Sequence, residues 1–155
     1  MDLLIKICGM TNRDDALYAL DAGADYLGFI LYPESPRGIT PRQLTRIVDQ
    51  TEGLTCAVGV FVNMAADDVR RISGDCNLSA VQLHGDETPE DYTDLGCPVW
   101  RAVKLREGTS VPAPELWPDC RLVVDADVPG LYGGTGQQAD WDAAAALAKK
   151  HPLML

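Results

Sequence analysis

Short apolar runs rich in β-branched residues alternate along the chain with amphipathic stretches. The runs are Leu3–Cys8, Tyr26–Leu31, Thr55–Val62, Ala80–His84, Val99–Leu105, Arg121–Asp125 and Pro152–Leu155. Several are apolar almost throughout, as expected of parallel strands covered on both faces. Their starts recur about every 20 to 30 residues, the length of a βα repeat. Helix starts fall between them. Thr11-Asn12-Arg13-Asp14 resembles a capping box with an aspartate at its third position. Thr40-Pro41 and Thr88-Pro89 each put a capping hydroxyl before a proline suited to the first helical position. A helix is predicted from about Trp141 to Lys150, ending on two lysines that suit the negative end of its dipole. Gly23 and Gly96 stand where helices should stop.

Alternation of this kind predicts an α/β fold, and within it a (β/α)8 TIM barrel formed as one domain over residues 1–155. No linker, charge block or low-complexity segment divides the chain. An open doubly wound sheet is the structural alternative. It would carry a Gly-x-Gly-x-x-Gly turn after the first strand, and none is there. The glycine-rich segment Gly133-Gly134-Thr135-Gly136 comes only after the sixth strand. The seventh run has barely begun when the sequence stops, so the expectation is a barrel truncated within strand seven.

Active sites of such barrels lie at the C-terminal ends of the strands. Polar residues cluster at those positions here. Cys8 closes strand one, Arg37 lies in the loop after strand two, Asn63 follows strand three, His84 closes strand four and Asp125 closes strand six. Each also has a plain structural reading. A cysteine on an apolar strand is ordinarily an inert core residue, the reading given to Cys56, Cys97 and Cys120, with Cys76 taken as a loop thiol. Arg37 could be solvated, His84 could be a satisfied histidine leading into a helix cap, and Asp125 could cap a turn. Cys8 differs in its surroundings, because a helix N-terminus nearby would favour its thiolate. The glycines at 133–136 serve either a plain loop or the close approach of backbone amides to an anion.

Composition narrows the field further. Hydrophobic residues make up 46% of the 155, enough for a core, yet no run approaches the roughly 20 residues needed to cross a bilayer. The N-terminus has no basic region ahead of its apolar stretch and no small-residue cleavage site, so a signal peptide is not expected. Five dispersed cysteines without a Cys-x-x-Cys pair fit neither a disulfide framework nor a zinc site. Reduced thiols in a cytoplasmic protein are the simplest reading. Net charge is −10, from 23 acidic against 13 basic side chains. Such a surface repels nucleic acid and anionic membranes. Any anionic substrate must therefore be held by local cationic groups or helix N-termini.

Six segments occur in an order that is specific. They are Lys6-Ile7-Cys8-Gly9-Met10-Thr11, Gly23-Ala24-Asp25, Ser35-Pro36-Arg37, Val58-Gly59-Val60-Phe61-Val62-Asn63, Val81-Gln82-Leu83-His84-Gly85-Asp86-Glu87 and Gly133-Gly134-Thr135-Gly136. Together they resemble the successive signatures of the phosphoribosylanthranilate isomerases, from residue 3 to the last. The resemblance implies a cofactor-free Amadori rearrangement in tryptophan biosynthesis, acting on a small phosphosugar, with no metal. It implies Cys8 as general base and Asp125 as general acid. It further implies Arg37 as the holder of the anthranilate carboxylate, Gln82 and His84 as pocket-lining residues, and Lys6, Gly133 and Gly134 as additional substrate contacts. Asp125 would then have to be protonated and Cys8 at least partly thiolate. An aromatic usually precedes Asp-Trp in that family, whereas Ala139 precedes Asp140-Trp141 here. The family also continues with a Gly-Gly loop, an eighth strand and a helix that grip the phosphate, so those parts are expected to be absent. Two other readings stay open. One is another phosphosugar barrel such as indole-glycerol-phosphate synthase, which would use a lysine and a glutamate. The other is a non-catalytic barrel fragment.

Overall fold

The computed structural model describes residues 3–51, 56–92, 94–106, 109–125 and 140–155. Seven strands run parallel in one sheet: β1 (Lys6–Cys8), β2 (Tyr26–Ile30), β3 (Ala57–Phe61), β4 (Ala80–Leu83), β5 (Val99–Arg106), β7 (Arg121–Asp125) and β8 (Leu153–Met154). They pair in the order in which they occur. A short strand, β6 (Thr109–Val111), folds back antiparallel on β5. Among the described residues four α-helices lie between the strands: α1 (Arg13–Asp21), α2 (Pro41–Gln50), α3 (Ala66–Asp75) and α4 (Trp141–Ala148).

Cap chemistry explains where the helices begin. Asn12 is extended, and its short side chain accepts from the Asp15 amide at 2.8 Å. The cap of α1 is therefore Asn12 and not Thr11, because an amide oxygen one residue later already reaches the third helical N–H. At α2 the expected hydroxyl cap is present, and Gln43 completes it by accepting from the Thr40 amide at 2.8 Å. Gly23 adopts φ 95° just beyond α1, the left-handed stop a glycine allows.

Among the described residues the helix expected from Thr88-Pro89 is absent. After β4, Thr88-Pro89 opens only a single 3-10 turn over Pro89–Tyr92, and Gly96 turns the chain four residues beyond it. After β5, the connection holds β6 and a 3-10 turn at Pro114–Leu116. Proline at 112 and again at 114 removes amide donors from this connection. Cys76, expected in a loop, is buried against α2 with its sulfur 3.3 Å from the Thr45 hydroxyl.

Apolar packing on both faces of the sheet follows from the period-two alternation of the strands, and on the outer face Val103, Leu122 and Val124 also pack with Ala144 of α4. The outer faces of β2, β3 and β4 present Leu27, Phe29, Ala57, Phe61, Val81 and Leu83 to α1, α2 and α3. On the inner face, Val58, Ala80 and Trp100 pack with Tyr26, Val123 and Met154. Side chains of β1 and β4 meet inside the sheet, where Lys6 Nζ donates to Gln82 Oε1 at 2.9 Å. The sheet therefore curls into a half-barrel rather than lying open and flat. Among the described residues no ladder joins β8 to β1.

Candidate functional site

Register decides which residues face the inside. Ladder partners share a face, so Lys6 and Cys8 stand with Gly28 and Ile30, with Val60 and Gln82, and with Ala102, Val123 and Asp125. His84, two residues past Gln82, continues the same face just beyond the end of β4. At the C-terminal ends of the strands these side chains wall a cavity of about 560 Å³. Cys8, Arg37, Gln82, His84, Asp125 and Lys6 all line it. That volume suits one small ligand. Residues from β1 and β7, distant in sequence, thus meet across one space.

A continuous chain of hydrogen bonds crosses this space. Lys6 Nζ donates to Gln82 Oε1 at 2.9 Å, Gln82 Nε2 lies 2.8 Å from His84 Nδ1, and His84 Nε2 lies 3.0 Å from Asp125 Oδ2. Gln82 is only 2% exposed, and the side chains of His84 and Asp125 are 12% and 18% exposed. Arg37 reaches over from the loop after β2 and donates through Nη1 to the Cys8 carbonyl at 2.9 Å. Gly9 makes room for that crossing. A Cβ there would lie 2.5 Å from Arg37 Nη1, and its φ of 93° is one that side chains rarely adopt. Gly28 does the same for the thiol, since a Cβ there would lie 2.5 Å from the Cys8 sulfur.

Of the residues singled out from sequence, six are brought together: Lys6, Cys8, Arg37, Gln82, His84 and Asp125. Gly133 and Gly134 lie outside the described residues. Asn63 does not join the cavity wall. It holds φ 51°, donates its amide to Glu87 Oε1 at 2.8 Å, and accepts at its side chain from the Asp86 amide at 2.7 Å.

Sequence reasoning missed what braces this rim from behind. Arg101 and Glu87 form a buried ion pair at 2.9 Å, with side chains 2% and 1% exposed. Arg101 also donates to the carbonyls of Leu83 at 2.8 Å and Gly85 at 2.7 Å, while Glu87 accepts from the Gly85 amide at 2.8 Å. His84 lies between these anchored residues. Burial lowers the Arg101 pKa, opposed by the adjacent Glu87 charge. A signal did exist, because an arginine amid Val99-Trp100-Arg101-Ala102-Val103 cannot be buried without a partner.

Among the described residues no group of three or more metal-ligating side chains occurs, and no helix is long and apolar enough to cross a membrane. The sequence profile of the N-(5′-phosphoribosyl)anthranilate isomerases matches residues 5–155. The enzyme of that name from Trichlorobacter lovleyi is 41% identical over 152 residues, covering 97% of this chain and 74% of the relative. The crystal structure of the phosphoribosyl anthranilate isomerase from Thermus thermophilus superimposes with a TM-score of 0.81 at 34% identity, over 96% of this chain and 72% of that one. A phosphoribosyl anthranilate isomerase solved with reduced 1-(o-carboxyphenylamino)-1-deoxyribulose 5-phosphate gives a TM-score of 0.76 at 27% identity, over 98% and 74%. On the match along residues 5–155 and the identity to its relatives, the chain belongs to the N-(5′-phosphoribosyl)anthranilate isomerase family.

Proposed function

We propose that the cavity at the strand ends carries out the Amadori rearrangement of N-(5-phosphoribosyl)anthranilate to 1-(2-carboxyphenylamino)-1-deoxyribulose 5-phosphate, a step of tryptophan biosynthesis. The observation that carries this reading is the meeting of Cys8 and Asp125 in one cavity from opposite ends of the sheet. Two groups of different protonation state, facing one sugar, are what the chemistry needs.

Asp125 gives its proton to the furanose ring oxygen. The bond from that oxygen to C1′ breaks, and the anthranilate nitrogen supplies the electron pair that forms a protonated Schiff base. The Cys8 thiolate then removes the C2′ proton, and its electron pair neutralises the iminium to leave an enolamine. Gain of a proton at C1′ and loss of one from the 2′-hydroxyl yield the aminoketose. Arg37, whose Nη1 donates to the Cys8 carbonyl, takes the anthranilate carboxylate with a planar guanidinium fork. Gln82 and His84 line the pocket beside the acid.

The finer architecture belongs to the same reading. The curled sheet is the larger part of a single (β/α)8 barrel domain, and the backbone amides of Gly133 and Gly134 serve the anionic substrate. The free cysteines suit a reducing compartment, the cytoplasm. With a net charge of −10, the partner is the small phosphosugar and not nucleic acid or a membrane.

The test is conversion of N-(5-phosphoribosyl)anthranilate by the purified chain, followed as appearance of the aminoketose. Cys8→Ala and Asp125→Asn are each expected to lower kcat by at least about 100-fold while substrate still binds, the lower end of what one acid–base group contributes. Near-normal turnover in either variant removes that residue's role.

A further inference from the structure

We propose that Lys6 is a positioning residue, holding His84 through Gln82 as the neutral Nε2–H tautomer and thereby orienting the carboxyl group of Asp125. The inference deepens the functional reading above and rests on it for the role of Asp125.

The argument follows from donors and acceptors alone. An ammonium group can only donate, so the Gln82 atom 2.9 Å from Lys6 Nζ must be the amide oxygen. The amide nitrogen then faces His84 Nδ1 at 2.8 Å. An amide NH2 can only donate, so Nδ1 accepts and carries no proton. The ring proton of the neutral histidine is therefore on Nε2, which donates to Asp125 Oδ2 at 3.0 Å. Every bond in the series points the same way, from β1 across the inside of the sheet to the end of β7.

Reversing the series is costly at each link. Turning the amide would set its NH2 against the ammonium, two donors facing each other at a residue only 2% exposed. Forming the imidazolium would set an Nδ1–H against the same NH2. Lys6 thus acts on Asp125 from two side chains away. For the proposed acid, the effect is a fixed donor on Oδ2. The proton given to the ring oxygen is then the one on Oδ1, and the carboxylate left behind is stabilised by a charge-assisted hydrogen bond.

Tautomers are read directly from long-range proton–nitrogen correlation spectra of the chain labelled with 15N-histidine. Only His84 and His151 contribute, and a His151→Gln variant assigns the pair. His84 is expected as Nε2–H in the unaltered chain. Lys6→Met should give a mixture of tautomers, and Gln82→Glu should convert His84 to a form protonated at Nδ1. In the isomerase assay Lys6→Met should lower kcat by at least about tenfold, as expected when a catalytic tautomer is no longer held. KM should move less than twofold, and Lys6→Arg should recover part of the rate. An Nδ1–H or imidazolium spectrum in the unaltered chain overturns the inference, and so does a Lys6→Met spectrum in which His84 is unchanged. An inactive chain whose His84 still shows Nε2–H supports the tautomer assignment and counts against the functional reading instead.

Discussion

Gly28 stands beside Cys8 in the β1–β2 ladder, and the missing side chain is what lets the thiol turn inward. A Cβ there would also meet the Cys8 Cα and Cβ at 3.1 Å, so rotating the sulfur away would not relieve the crowding. Gly28→Ala should therefore displace the proposed base and lower kcat by about 100-fold, the cost of a misplacement near 1 Å. Stability should fall by only about 1–3 kcal/mol, as for other overpacked sites. A melting curve beside a rate measurement separates the two effects, and an unaltered kcat would sink the idea. Positions such as Cys8, His84 and Asp125 were legible in the sequence because each polar residue closes an apolar run. The need for Gly28 was not, since its neighbour in space comes from another strand.

Elements supply the next level of control. The Arg101–Glu87 pair ties the start of β5 to the loop after β4 and so fixes the backbone on both sides of His84. Arg101→Met leaves a buried carboxylate without its counter-charge and should cost about 3–5 kcal/mol in urea unfolding. Adding Glu87→Leu should recover only part of this, because the amides of Asn63 and Gly85 then lose their acceptor. A single-variant loss below about 1 kcal/mol would contradict the brace, since burial of an unpaired charge cannot be that cheap. Smaller and more local, Thr40→Ala removes half of the α2 capping box and should cost about 0.5–2 kcal/mol. Helix α2 was readable from Thr40-Pro41. The same dipeptide logic at Thr88-Pro89 overreached, because the segment that follows yields only one 3-10 turn before Gly96.

For the whole molecule, proton linkage sets an alkaline limit. Burial pushes up the thiols of Cys56 and Cys120, and the charges of Asp25 and Asp119 respectively push the same way. For Cys56, backbone hydrogen bonds oppose the shift in part. A raised folded-state pKa means that the native chain keeps a proton the unfolded chain gives up. The stabilising contribution is complete below the ordinary thiol value of 9.0 and is lost as pH climbs through the raised one. Tyr92, raised mainly by burial and then by Glu87 and Asp91, adds the same slope beyond 10.0. Unfolding free energy should therefore fall as pH rises above about 9, and less steeply in a Cys56→Ala/Cys120→Ala variant. Parallel slopes in the two proteins would show that these thiols do not carry the effect.

Local periodicity was enough to locate seven parallel strands and three of the helices, because burial on both faces demands apolar runs and cap residues act within one turn. It was also enough to place the candidate residues at the strand exits. Closeness across the sheet was beyond it. Which thiol meets which carboxyl, the lysine-to-histidine series, the ion pair behind the rim and the antiparallel β6 all depend on register and curvature. Those arise only when the strands pack, so a residue's neighbours across the sheet are absent from its own stretch of chain.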